Sequence, residues 1–294
     1  MASIYLNNLK AQVRANLLCK VSRSLRTTTP CAVVSQVTTI TKAQDCLQAF
    51  GIRLVPSPSV VQIAKHNGYD ALFIDLEHST LSLNDSAQLC TAGLLAGITP
   101  FVRVPYRCGE GFVQRVLDGG AMGVIFPHIH RKADAEAAVR TCKYPPLGNR
   151  SMTGQLPQFS IAPTPVHKII EQSNAEGSTV FVMIETKSSI ENIDEIAATE
   201  GVDVLLIGSN DLSIELGVPG LFESAEFHSA LEKVSRSVRA HGKVMGLAGI
   251  YGVQRLHEWA VNELGVRFLL GDQDSGFIAK GAKACVENMK KVQK

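Results

Sequence analysis

Eight short apolar runs recur along the chain: IRLV (52–55), ALFID (71–75), FVRV (101–104), GVIFP (123–127), VFVMIE (180–185), DVLLIG (203–208), KVMGLA (243–248) and RFLLGD (267–272). They are near-continuously apolar rather than alternating, the signature of strands buried on both faces of a parallel sheet. Amphipathic stretches of helical period separate them, among them Ser59–Asn67, Ser82–Ala96, Gly111–Gly119, Lys132–Cys142, Ser189–Thr199, Ala225–His241, Val253–Glu263 and Ile278–Val292. Eight buried-type strands alternating with helices predict an α/β fold closed as a single (β/α)8 barrel, the TIM barrel, rather than an open sheet. No GxGxxG follows any strand, which argues against a dinucleotide-binding sheet.

The N-terminal part departs from this rhythm. Residues 1–20 carry Leu6, Leu9, Val13 and Leu17 on one helical face and are expected to form a helix packed on the barrel. The same region has Lys10, Arg14, Lys20, Arg23 and Arg26, and no acidic residue before Asp45, so a mitochondrial transit peptide is the competing reading. Periodicity favours the packed helix and a cytoplasmic protein. Residues 21–48 are rich in Ser and Thr and have no sustained period. A structureless loop of that length is foreign to a compact core, so 21–48 reads as an insertion and 49–294 as the barrel.

Composition narrows the function. The chain has 294 residues, 45% hydrophobic and 19% charged, enough for one large core. A net charge of +2 gives no electrostatic case for nucleic acid or an anionic membrane surface. No apolar run spans a bilayer. Seven cysteines without a CxxC pair read as reduced thiols, not as disulfides or a zinc site.

The chemistry lies where a barrel puts it, at the C-terminal ends of strands. The second run ends in Asp75, Glu77 and His78, the third carries Arg103, the fifth ends in Glu185, and Asp211 follows the sixth. Charged groups in such runs are costly to bury unless they are paired or bind a metal. Glu185, at the end of an apolar strand, favours a metal. Asp211 is equally placed to cap a helix, and Arg103 to pair with Asp75 or Glu77. His128 and His130 in PHIH resemble a metal pair, but no matching third ligand supports them. Gly119, Gly120 and Gly123 read as turn and packing positions.

Six blocks then stand in order: GYDALFIDLEHS, PFVRVP, LDGGAMGVIFP, YPPLGNRS, VMIET and GSNDLS. Together they resemble the HpcH/HpaI aldolase family over most of the span from Pro56 to Gly220. The RS after YPPLGN resembles its eukaryotic branch, which includes macrophomate synthase. The resemblance implies a barrel of the phosphoenolpyruvate/pyruvate superfamily, a divalent metal ion (Mg2+, Mn2+ or Co2+), and a homo-oligomer, usually a hexamer with an exchanged C-terminal helix. It implies Glu185 and Asp211 as metal ligands, Arg103 as the group that stabilises an enolate, and His78 as a proton carrier oriented by Asp118. Asp118 can also be read as a helix end beside a glycine cap. Gly208, Ser209 and Asn210 are implied as the substrate-carboxylate site. Ser209-Asn210 replaces the Pro-Ala of many relatives, and Met183 stands where relatives carry Gln. Both changes bear on specificity, since a thioether cannot replace an amide's hydrogen bonds. Joining Lys20 directly to Ala49 gives LLCKAFGIRLVPSP, a family-like passage into the first strand.

The expected activity is metal-dependent aldol cleavage or addition, with a 2-oxo acid such as pyruvate as enolate and an aldehyde as partner. Two alternatives stay open. One is decarboxylation of an oxaloacetate-type diacid followed by carbon–carbon bond formation. The other is a catalytically silent barrel with a binding role.

Overall fold

The computed structural model describes residues 46–292. Eight strands form a closed barrel in chain order: β1 (Leu47–Ile52), β2 (Ala71–Asp75), β3 (Thr99–Arg103), β4 (Gly123–Phe126), β5 (Thr179–Ile184), β6 (Val204–Gly208), β7 (Val244–Ala248) and β8 (Val266–Gln273). Every neighbouring pair is parallel, and β8 closes on β1. The helices are α1 (Pro58–His66), α2 (Leu83–Ala96), α3 (Glu110–Asp118), α4 (Lys132–Cys142), α5 (Val166–Ala175), α6 (Lys187–Glu191), α7 (Ile193–Ala197), α8 (Ser209–Glu215), α9 (Ala225–Ala240), α10 (Gln254–Asn262) and α11 (Asp274–Val292). The (β/α)8 barrel read from the apolar rhythm is the fold.

Strand alternation divides the core in two. Leu72 and Ile74, Val180 and Val182, and Leu205 and Ile207 pack outward against the helices. Phe73, Phe101, Phe181, Met183, Leu206 and Phe268 point inward. Phe181 lies 4.8 Å from Phe101 and 5.1 Å from Phe268 by ring centroid, so aromatic rings fill the barrel. Successive inward positions are two residues apart. Asp75, Arg103, Glu185 and Gly208 therefore follow Phe73, Phe101, Met183 and Leu206 on the inner face, one layer nearer the C-terminal mouth.

Most local signals hold. Ser82 caps α2 in a reciprocal box, with Asp85 N–H donating to Ser82 Oγ at 3.2 Å and Ser82 N–H to Asp85 Oδ2 at 2.8 Å. The first strand is the clearest difference. It runs from Leu47 to Ile52, not through IRLV. The N–H groups of Arg53, Leu54 and Val55 donate to the buried Asp274 carboxylate at 3.1, 3.0 and 2.8 Å. That carboxylate takes donors a longer strand would have given a neighbour, and Leu54 turns outward, 56% exposed.

The barrel thus begins two residues before 49. Leu47 and Gln48 pair with Phe268 and Leu269, so the end of the 21–48 segment belongs to the sheet. The remainder of that segment up to residue 45, and the 1–20 helix, lie outside the described residues. The expected helix Ser189–Thr199 is two short helices, α6 and α7, meeting at Asn192, whose side-chain amide donates to His130 O at 3.0 Å. α5 and α8 carried no legible period. α8 has only seven residues, and α5 buries only Ile169 and Ser173.

Candidate active site

The tip of β2 is a turn organised by one carboxylate. Asp75 Oδ1 accepts from the N–H groups of Glu77 (3.0 Å) and His78 (3.2 Å), while Ser79 Oγ donates to Asp75 O. The Asp75 carboxylate also receives Arg103 as a fork, from Nε at 2.9 Å and Nη2 at 2.6 Å. Arg103 Nη1 reaches Glu77 Oε2 at 3.2 Å, and the guanidinium lies over the Phe73 ring. Burial pushes the Asp75 carboxyl upward, but the hydrogen bonds and charge of Arg103 outweigh it and hold the group below the usual carboxylate range. Arg103 is thus locked in plane at the barrel mouth, paired with Asp75 and Glu77 together.

Across the mouth Glu185 stands at the end of β5, 1% exposed. Burial, together with the charge of Asp211, raises its pKa, although the N–H and imidazole of His128 and the charge of Arg103 pull it down. Its Oε1 accepts from His128 N–H at 2.6 Å. Asp211 lies in the first turn of α8, which begins directly after β6. Gly208, the last residue of β6, has no room for a side chain, since a Cβ there would strike Glu185 Oε2. Gly249 adopts φ +93°, and a Cβ there would come within 3.3–3.4 Å of the backbone nitrogens of Ser209 and Asn210. These two glycines keep the space around Glu185 and the start of α8 open. Ser209 Oγ is buried and has no hydrogen-bond partner among the described residues.

One cleft of about 300 Å³ joins these groups, lined among others by His78, Arg103, Glu185, Gly208, Ser209, Asn210 and Asp211. That size suits a small ligand. Seven of the eight residues singled out from the sequence meet there. His78 stands at the rim, its side chain 57% exposed and its Nε2 3.9 Å from Glu77 Oε2.

Asp118 is the exception. Its carboxylate accepts from Arg150 Nη2 at 2.7 Å, and among the described residues no hydrogen bond joins it to His78. It ends α3, a nine-residue helix that runs back along the barrel for about 13 Å. That places it toward the N-terminal face, opposite His78, so the orienting contact is not made within one chain. His128 and His130 do not converge as a metal pair either. His128 Nε2 approaches Glu77 Oε1 at 3.6 Å, whereas His130 Nδ1 meets Ser188 Oγ at 3.0 Å. His128 has φ 53°, which breaks the strand alternation that the pairing assumed.

Four cleft residues had no sequence signal: Arg53, Tyr251, Gln273 and Gly249. Arg53 sat inside an apolar run and was read as strand. The others lie in loops or at a strand end, where no periodicity marks them.

The fit for a divalent cation rests on the donors. The charge of Asp211 raises the cost of ionising Glu185, and no Lys or Arg forms an ion pair with either among the described residues. Hard cations accept such oxygen pairs and fill their remaining positions with water and substrate. Among the described residues no group of three or more His, Cys, Asp and Glu could hold a metal.

The chain is similar to known proteins over most of its length. The chain is 56% identical over 263 residues to 4-hydroxy-4-methyl-2-oxoglutarate aldolase cghB of Chaetomium globosum, covering 90% of this chain and 98% of that protein. It is 59% identical over 246 residues to 4-hydroxy-4-methyl-2-oxoglutarate aldolase tasA of Hapsidospora irregularis, covering 84% and 91%. The crystal structure of macrophomate synthase superposes with TM-score 0.72 over 89% of this chain and 90% of that one; at 21% identity this shows the fold alone. A model of the HpcH/HpaI aldolase/citrate lyase family matches residues 54–260. A barrel whose mouth gathers Arg103, Glu185 and Asp211, with these relatives, places the chain in the HpcH/HpaI aldolase/citrate lyase family.

Proposed function

We propose that the chain is a divalent-metal-dependent aldolase that cleaves 4-hydroxy-2-oxo acids of the kind named for its fungal relatives, releasing pyruvate. The observation that carries this reading is the convergence of Glu185, Asp211, Arg103 and His78 on one cleft. Glu185 and Asp211 would hold the cation, which would supply Lewis-acid stabilisation of the enolate's negative charge. The rest falls to the chain's own groups. His78 takes the proton of the C4 hydroxyl, the C3–C4 bond breaks, and its electron pair moves onto the C2 oxygen as an enolate. Arg103, held planar by Asp75 and Glu77, stabilises that developing charge without reorganising. Protonation at C3 then yields pyruvate, and C4 leaves as a carbonyl. For 4-hydroxy-4-methyl-2-oxoglutarate the second product is also pyruvate, so the partner is a ketone acid rather than an aldehyde. The backbone at Ser209 and Asn210 and the unpartnered Ser209 Oγ receive the carboxylate next to the keto group.

The homo-oligomer belongs to the same proposal. α11 buries only Asp274 and exposes Ile278, Val286 and Met289, an apolar face suited to another copy. If Asp118 orients His78, it does so across such an interface. Light scattering of the purified protein gives the assembly size directly, and a monomer would count against this part.

The activity test measures pyruvate release from 4-hydroxy-4-methyl-2-oxoglutarate and CO2 release from oxaloacetate, with Mg2+, Mn2+ or Co2+ and then with excess chelator. Metal-dependent pyruvate release is expected. Full turnover in chelator would sink the metal role, and no turnover of either substrate would favour the silent barrel. His78→Ala is expected to lose aldol cleavage while some oxaloacetate decarboxylation survives, because decarboxylation has no hydroxyl proton to remove; equal loss of both refutes that division. Arg103→Lys is expected to lose about 3 kcal/mol of transition-state stabilisation, roughly 100-fold in kcat/KM, since an ammonium cannot replace the fork. A near wild-type rate would make Arg103 structural.

A further inference from the structure

We propose that Arg53 grips the second carboxylate of a diacid substrate, so that the site selects acceptors that are themselves 2-oxo acids over plain aldehydes. This rests on the aldolase reading above and names the residue that sets its substrate class. Three cationic or potentially cationic side chains line the cleft: Arg53, His78 and Arg103. Arg103 already satisfies two carboxylates through three of its nitrogens. Arg53 satisfies none among the described residues; its Nη1 donates only to the neutral Gln273 Oε1, at 3.4 Å. Of the two guanidinia in the cleft, it alone has no carboxylate partner among the described residues.

Its position fits the length of a diacid. In the closed eight-strand order β1 stands four strands from β5, so Arg53, just past the end of β1, faces Glu185 across the mouth. A substrate whose keto acid end lies at β5 and β6 extends its far end toward β1 and β8. The mount is firm, because Arg53 N–H is fastened to Asp274, a side chain only 2% exposed. Neither Asp272 nor Asp274 lines the cleft. Asp274 is occupied by backbone donors, and Asp272 is paired with Lys280 Nζ at 2.5 Å. Tyr251 accepts from Gln273 Nε2 at 3.2 Å, and burial pushes its hydroxyl up to about 12, so it stays neutral. The wall between Arg53 and the cleft floor is therefore polar, uncharged and open to a carboxylate.

Calorimetry of the Mg2+-loaded protein with 2-oxoglutarate and with pyruvate tests this without turnover. In Arg53→Gln the ratio of the 2-oxoglutarate Kd to the pyruvate Kd should rise about tenfold, the lower end for a charge-assisted hydrogen bond at an exposed site. Arg53→Lys should recover part of that ratio, because it keeps the charge and loses the fork. In turnover, Arg53→Gln should lower kcat/KM for 4-hydroxy-4-methyl-2-oxoglutarate, chiefly through KM, by about tenfold relative to 4-hydroxy-2-oxopentanoate, the aldol that releases acetaldehyde. An unchanged ratio in Arg53→Gln, or wild-type protein that binds 2-oxoglutarate no more tightly than pyruvate, overturns the proposal. Wild-type protein that shows the binding preference but cleaves neither aldol refutes the aldolase reading and leaves Arg53 as a diacid-binding group.

Discussion

Glu185→Gln should fold, fail to bind a divalent cation and cleave no aldol, and Asp211→Asn should behave in the same way. The amide keeps the shape of each side chain and removes the charge that a hard cation requires. Stability separates this outcome from simple damage. Burial first, and Asp211 second, raise the Glu185 pKa. A carboxyl raised in the folded state binds its proton more tightly there than in the unfolded chain. Stability therefore falls as pH rises from the unfolded value through the folded one, and the metal-free protein carries that cost near neutral pH. Removing the charge should leave the metal-free protein as stable as wild type or more stable, by on the order of 1 kcal/mol. Divalent cations should raise the melting temperature of wild type and not of the variant. Urea titrations with and without Mg2+ read both effects. A large loss of stability without metal, or retained turnover, would show that Glu185 is a structural carboxylate.

Asp75→Ala should be the most destabilising substitution at the mouth, costing about 3–5 kcal/mol, the usual penalty for removing one partner of a buried ion pair. The variant leaves Arg103 with Glu77 alone and takes away the acceptor that holds the N–H groups of Glu77 and His78. The pH dependence has the opposite sign to that of Glu185. Because the Asp75 pKa is held down by Arg103, its contribution is fully present above the unfolded value near 4 and is lost as pH falls through the lower folded value. Asp75→Asn keeps an acceptor for the turn, so the difference between the two variants isolates the turn from the charge. Denaturant midpoints at pH 7 and at acid pH give the comparison. A loss below about 1 kcal/mol at pH 7 would mean that Glu77 alone satisfies Arg103 and that the fork is dispensable.

The sequence by itself determined the barrel, because eight apolar runs and the helices between them can bury their faces together in few ways. It also determined which charges gather at the barrel mouth. Asp75, Arg103 and Glu185 interrupt apolar strands at the same inward parity, and period-two alternation carries them to one mouth. What alternation cannot encode, only the tertiary structure decided. IRLV has the composition of a strand, yet its last three residues leave the sheet because Asp274, more than two hundred residues away, accepts their N–H groups. That distant carboxylate turns Arg53 from an apparent strand residue into a cation on the cleft wall. His128 faces Glu185 and parts from His130 because its backbone takes φ 53°, which no periodicity predicts. Asp118 matched a motif, but α3 carries it down the outside of the barrel to Arg150, away from His78. Local sequence sets period and burial; contacts between distant segments set which exposed charges meet, since nothing in the strand pattern records a partner on another loop.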